Sequence, residues 1–285
     1  MTNGDSRWRR RGRATALLVP FAGAVAAVLA LAVAAPFSWG EKPSPAASRA
    51  GTASRQAVES LGLPNPVKPA FAPGKPIFLR SSRWVSRWAL VRTAVRARAR
   101  PSFDAPAVAE VATRTPEGTS NIVLVLGART DAAGRLWIRV RLPVLGNDNT
   151  AWVPREALGG YGTVRTHLLV DRQSLTATLL RDGRAIFRAD VGVGEPSWPT
   201  PAGEFYIRNR LTGYASPMYG PLAFGTSARS AILTDWPAGG FVGIHGTDRP
   251  DLLPGRVSHG CIRMRNADIL RLARLMPVGT PLTIR

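Results

Sequence analysis

The sequence predicts a mainly β protein with a short C-terminal helix and a separate apolar helix near its N-terminus. Three observations carry this reading. Residues 14–35 contain no charged side chain. From about Trp88 onward, short apolar or alternating runs are separated by Gly, Asp and Asn turn signals. Only near the end, at Ile269, Leu272, Ala273 and Met276, does the apolar spacing become helical, with Asn266 as the expected N-cap and Pro277 and Gly279 as stops.

Composition bounds the function. The chain has 285 residues, 38 Lys+Arg against 18 Asp+Glu, a formal charge of +20, and one cysteine. A single thiol excludes an intramolecular disulfide and any zinc or iron–sulfur site built from several thiolates. An apolar content of 45%, with eight tryptophans, excludes wholesale disorder. The basic excess predicts an anionic neighbourhood without naming it.

The N-terminal elements follow in order. Residues 1–13 form a basic segment with Arg7, Arg9, Arg10, Arg11 and Arg13. Residues 14–35 are long enough to cross a hydrocarbon core of roughly 30 Å at ~1.5 Å per residue. Basic residues before this span orient the rest of the chain outside the membrane. It reads as a signal anchor, or as a signal peptide cleaved near Ala32-Val33-Ala34. Either way the localisation expected is the cell envelope, outside the cytoplasm. Residues 36–87 are rich in Pro and Ala and read as a stalk.

Export decides the meaning of the charge. Beyond Ala35 there are 33 basic and 17 acidic residues. The run VRTAVRARAR at 91–100 resembles a strand with one solvated face more than a nucleic-acid patch, so no nucleic-acid partner is expected. Anionic wall polymer or lipid headgroups, attracted nonspecifically, fit better.

Residues 88–160 read as about five short strands in a small barrel. Ile122 to Leu126 is an apolar run, 131–134 a turn, and Leu136, Ile138 and Val140 alternate with Trp137, Arg139 and Arg141. The stretch GRLWIRVRLP (134–143) followed by TAWVPREAL (150–158) resembles the bacterial SH3-type module. That resemblance implies wall binding or a shaped substrate path; a structural spacer with core tryptophans fits equally.

Residues 164–285 carry the chemistry. Two apolar strands meet at Asp182-Gly183, a hairpin signal. Another strand is expected from Gly203 to Ile207. Residues 208–230, rich in Gly, Ser and Pro and including Tyr214, Met218 and Tyr219, read as a long excursion and a candidate lid. Then come Ile244-His245-Gly246-Thr247 and Ser258-His259-Gly260-Cys261-Ile262-Arg263-Met264, with two of the three histidines and the only cysteine. A thiol is a strong nucleophile as the thiolate, and an adjacent imidazole supplies proton acceptance and positive charge. Gly260 and Cys261 lie where backbone N–H groups could meet an oxyanion. His245, His259 and Cys261 also make a three-ligand set for a metal, so that reading stays open at this point.

These two strings, with the upstream HLLVDRQSLTATLLRDGRAIFRADVGVGEPSWPTPAGEFYI (167–207), resemble the L,D-transpeptidase catalytic domain of the YkuD type. The likeness covers about 120 residues. It departs in a short interval between His245 and Ser258, which implies a differently shaped loop beside the site. The resemblance implies a β-sandwich, no cofactor, and peptidoglycan stem peptides as partners. Cys261 would be the nucleophile and His245 the proton acceptor and donor, its ring held by the Gly246 carbonyl. Gly260 and Cys261 would form the oxyanion hole, His259 and Ser258 would shape the pocket, and Arg263, Gly246, Tyr214 and Tyr219 would contact substrate. The implied reaction releases D-alanine from a tetrapeptide stem and joins two diamino acids. A carboxypeptidase using water, attachment of a wall protein, and a non-catalytic wall-binding protein are the alternatives.

Overall fold

The computed structural model describes residues 84–213, 216–233 and 240–285. The expected basic segment, the apolar span and the stalk up to residue 83 lie outside these, as does Tyr214. Among the described residues no helix is long and apolar enough to cross a membrane.

The first sheet has seven strands: β1 (Ser86–Val91), β2 (Val95–Arg98), β3 (Ala107–Val111), β4 (Ile122–Thr130), β5 (Leu136–Arg141), β6 (Thr150–Pro154) and β7 (Leu158–Val164). Their spatial order is β3-β2-β6-β5-β4-β1-β7, with antiparallel neighbours throughout. Strand β4 opens on an apolar run, Ile122 to Val125, because both faces of this half are covered. Val123 and Val125 join the core of this sheet, while Ile122 and Leu124 pack with Tyr206. Strand β5 departs from the expected alternation, since Trp137 is fully buried opposite Ile138 and Val140. Its Nε1–H donates to Asp131 at 2.9 Å and its ring meets Phe103 edge-on at 4.9 Å, so loop residues cover the second face of the strand at Trp137.

The second sheet has ten strands: β8 (Thr166–Asp171), β9 (Thr176–Arg181), β10 (Arg184–Asp190), β11 (Gly192–Gly194), β12 (Gly203–Thr212), β13 (Leu222–Arg229), β14 (Phe241–His245), β15 (Gly255–Ser258), β16 (Ile262–Arg263) and β17 (Pro281–Ile284). The helix α1 (Asn266–Leu275) lies between the last two. The strand order is β10-β9-β8-β17-β12-β13-β14-β16-β11-β15. Asp182 and Gly183 both take positive φ, 52° and 79°, as a two-residue hairpin with matched twist requires. Ile269 and Leu272 of α1 enter the core with Phe205, Phe224, Ile244 and Ile262.

Two expectations need correction. Residues 208–230 are mostly not a lid: β12 runs on to Thr212, and β13 occupies 222–229 as a buried central strand. Its Gly, Ser, Thr and Ala side chains mimic loop composition, yet small residues are what a strand crowded on both faces accepts. Only 213–221 is a connection, with a 3-10 turn at Pro217–Tyr219. Asn266 is the first residue of α1 rather than its cap; Arg265 holds the cap position, and the Asn266 side chain points to the site.

The two sheets are joined by buried contacts. The Tyr206 hydroxyl donates to the Ile122 carbonyl at 3.0 Å, and Asn147 exchanges two hydrogen bonds with the Arg229 backbone, both at 3.0 Å. The Trp88 ring packs closely against Gly279, which has φ +82°; a Cβ there would come within 2.1 Å of Trp88 Cδ1. A Gly279→Ala protein is therefore expected to lose about 2 kcal/mol or more of stability, read as a lower thermal midpoint. An unchanged midpoint would remove the claim that this seam is tightly packed.

Candidate active site

His245 is the last residue of β14, and Cys261 sits in the turn between β15 and β16. The parallel pairing of β14 with β16 sets Ile244 beside Ile262 and His245 beside Arg263. That register closes the sixteen-residue sequence gap and brings Cys261 next to Gly243. The Gly243 N–H points at the sulfur, 3.4 Å away. A Cβ built on Gly243 would lie 3.9 Å from both Cys261 Sγ and His245 Cδ2, so thiol and imidazole converge over this one glycine.

The imidazole is 3% exposed and its Nδ1 lies 2.6 Å from the Gly246 carbonyl. A carbonyl only accepts, so Nδ1 carries the proton and Nε2 keeps its lone pair. Burial drives the His245 pKa down to about 4; the Gly246 carbonyl resists this and the Arg263 charge adds to it. Burial pushes the Cys261 thiol up, against the Gly243 N–H and Arg263, which pull it down. Both shifts favour the neutral thiol and the neutral imidazole. Burial thus works against the ion pair anticipated from the motif, since each charge would have to give up water.

The turn bearing Cys261 is fixed by hydroxyls. Ser258 Oγ accepts from the Gly260 N–H at 3.1 Å and donates to the Cys261 carbonyl at 2.5 Å. Gly260 takes φ +111°, which side-chain-bearing residues rarely adopt. Of the two N–H groups expected to form the oxyanion hole, that of Gly260 is engaged by Ser258 here. Gly246 is buried, and its carbonyl holds the imidazole. His259 is exposed and meets Trp198 edge-on at 4.4 Å. The ring of Tyr219 lies 4.9 Å from that of His245.

Two cavities share this floor. The smaller, about 40 Å³, is bordered by Met218, Ser258, His259 and Arg263. The larger, about 620 Å³, is bordered by Leu211, Thr212, Ala223 and Glu117. Tyr219, Phe241, Val242, His245 and Cys261 line both. Arg263 Nε is enclosed with no hydrogen-bond partner among the described residues. Among the described residues no group of three His, Cys, Asp or Glu is arranged to hold a metal ion.

The family model for the YkuD L,D-transpeptidase catalytic domain matches residues 165–284. The chain is 36% identical over 122 residues to YkuD of Bacillus subtilis (strain 168), covering 43% of this chain and 67% of that protein. The chain belongs to the YkuD-type L,D-transpeptidase family. A second relative, YqjB of the same Bacillus, is 31% identical over 127 residues, covering 41% of this chain and 70% of its own. The solved catalytic domain of the Enterococcus faecium L,D-transpeptidase is 27% identical, with a TM-score of 0.32, covering 42% of this chain and 96% of that one.

In this L,D-transpeptidase domain the supporting residues were not legible from the motif. Thr200 is 1% exposed; its hydroxyl accepts from the Gly194 N–H and donates to the Gly260 carbonyl, both at 2.8 Å. Asn266 Oδ1 accepts the Thr247 N–H at 2.9 Å and so ties α1 to the loop behind His245. In sequence the one looked like turn punctuation and the other like a helix cap. Thr200→Val preserves the shape but strands buried backbone groups. It is expected to lower stability by about 2 kcal/mol and to slow acylation of the thiol; native melting with a native rate would refute the assignment.

Proposed function

We propose that this L,D-transpeptidase acts outside the cytoplasm on peptidoglycan, with Cys261 as nucleophile and His245 as proton carrier. The Cys261 sulfur attacks the carbonyl at the L-centre of the diamino-acid residue in a tetrapeptide stem, and the S–H proton passes to His245 Nε2. The C–N bond to the terminal D-alanine breaks, and the imidazolium returns its proton to the departing amine. A side-chain amine of a neighbouring stem then attacks the thioester and gives its proton to His245. The C–S bond breaks, the sulfur recovers the proton, and two diamino acids are linked.

The observation that carries this reading is the convergence of Sγ and the imidazole over Gly243, on the floor shared by both cavities. The shifts favouring both neutral forms support a proton transfer coupled to attack. With Gly260 held by Ser258, the Cys261 N–H is the donor proposed for the oxyanion. Arg263, with its enclosed and unpartnered Nε, is proposed to take the terminal carboxylate of the donor. His259 and Tyr219 form pocket walls. Residues 14–35 are proposed to export the chain, retained as an anchor or cleaved, and the first sheet to act as an SH3-type module close to the wall.

Incubation of the purified protein with tetrapeptide-bearing muropeptides tests the whole. Free D-alanine together with dimeric product is expected. Tripeptide without dimer would replace the amine acceptor with water and make the protein a carboxypeptidase. The absence of both products would overturn the proposal.

A further inference from the structure

One charged residue of the larger cavity comes from the first sheet. Glu117 stands in the connection between β3 and β4, a tight loop in which the Thr115 N–H donates to the Thr119 carbonyl at 2.9 Å, as the Gly118 N–H does to the Thr115 carbonyl. Glu117 Oε1 accepts from Arg208 Nη2 at 2.7 Å, and Oε2 from Asn209 Nδ2 at 3.2 Å. The Arg208 side chain is 1% exposed, and its Nε donates to the Thr226 carbonyl at 2.7 Å. A guanidinium so enclosed needs a counter-charge, and Glu117 is the carboxylate bonded to it. Burial acts to raise the Glu117 pKa, but Arg208 and the surrounding hydrogen bonds hold it below the ordinary carboxylate value.

The pair does more than close the seam. Arg208 Cζ lies 3.7 Å from the centroid of the Phe241 ring, and Arg229 Cζ lies 4.9 Å from the same ring. Phe241 begins the strand that ends in His245, and its ring borders both cavities. A planar cation fixed by two strong hydrogen bonds holds an aromatic ring in one orientation better than apolar packing does.

We infer that Glu117 is a positioning residue for the reaction site: it fixes Arg208, and Arg208 holds the Phe241 ring as the partition between the two cavities above Cys261. The first sheet is then part of the reaction site and not an appended module. The inference rests on reading Cys261 as the reacting group. A Glu117→Gln protein keeps the amide-sized side chain but leaves Arg208 without its counter-charge, so the partition loosens.

The test uses the chain's single thiol and needs no substrate, so it stands or falls separately from the transpeptidase reaction. Alkylation of Cys261 is timed with iodoacetamide and with a bulky maleimide, for the unaltered protein, Glu117→Gln, Phe241→Leu and the double variant. Expected is a severalfold rise in the bulky-to-small rate ratio for each single variant, with no further rise in the double variant. Partial rescue by Glu117→Asp is also expected. A wild-type ratio in a folded Glu117→Gln protein, or strictly additive changes in the double variant, would overturn the inference. Should Glu117→Gln fail to fold, a wild-type ratio in Phe241→Leu overturns it equally.

Discussion

A Cys261→Ala protein is expected to take no mass adduct from a carbapenem, while the unaltered chain gains one per molecule. The sequence holds one thiol, so intact mass reads this position without ambiguity. Loss of a nucleophile that acts as a unit with its base costs about 10⁶-fold in comparable hydrolases, far more than any support residue contributes. The same substitution should abolish D-alanine release from tetrapeptide stems. It should do so without unfolding the domain, because the turn is held by Ser258, Thr200 and the φ of Gly260, none of which involves the sulfur. An adduct on the alanine protein, or D-alanine released at the wild-type rate, would remove the acyl-enzyme from the mechanism.

His245→Gln carries the second large effect. Glutamine preserves a polar group beside Gly246 but cannot accept and return a proton, and positioned general bases are worth about 10²–10⁴-fold. The pH dependence sharpens the test. Burial places the His245 pKa at about 4, below its ordinary 6.5, so the neutral ring proposed to accept the thiol proton persists throughout the mildly acidic range. Acylation by the unaltered enzyme should therefore hold level to well below pH 6 and fall as pH drops through about 4. A limb centred near 6.5 would show that the ring is not buried as described. Stability follows the same linkage. Between about 4 and 6.5 the unfolded chain binds a proton that the folded His245 refuses, so stability rises with pH across this window and is lost on acidification. The glutamine protein should lack that part of the slope.

The motif residues were legible because their chemistry is rare. One cysteine two residues after a histidine, with His-Gly upstream, leaves few alternatives once the chain reads as β. The strands around them were less so. The Gly-, Ser- and Thr-rich β13 passed for a loop, since composition cannot distinguish a segment without a core from one too crowded for large side chains. The alternation at 136–141 separated two faces but did not say what covers the one bearing Trp137, which is fully buried. Thr200 and Asn266 gave no signal of their place beside the site, because the partners that put them there lie 60 and 19 residues away, at Gly260 and Thr247.

By itself the sequence determined the family and the groups proposed to react, because the proposed nucleophile, base and flanking glycines are adjacent or nearly so along the chain. Only the tertiary structure decided their protonation. Whether thiol and imidazole share a charge depends on the water each loses, and that follows from the burial of His245 and from the position of Arg263 beside it. It also decided that Glu117, over ninety residues upstream of Arg208, enters the site's wall. Burial and long-range pairing are properties of the packed chain; no local pattern encodes them.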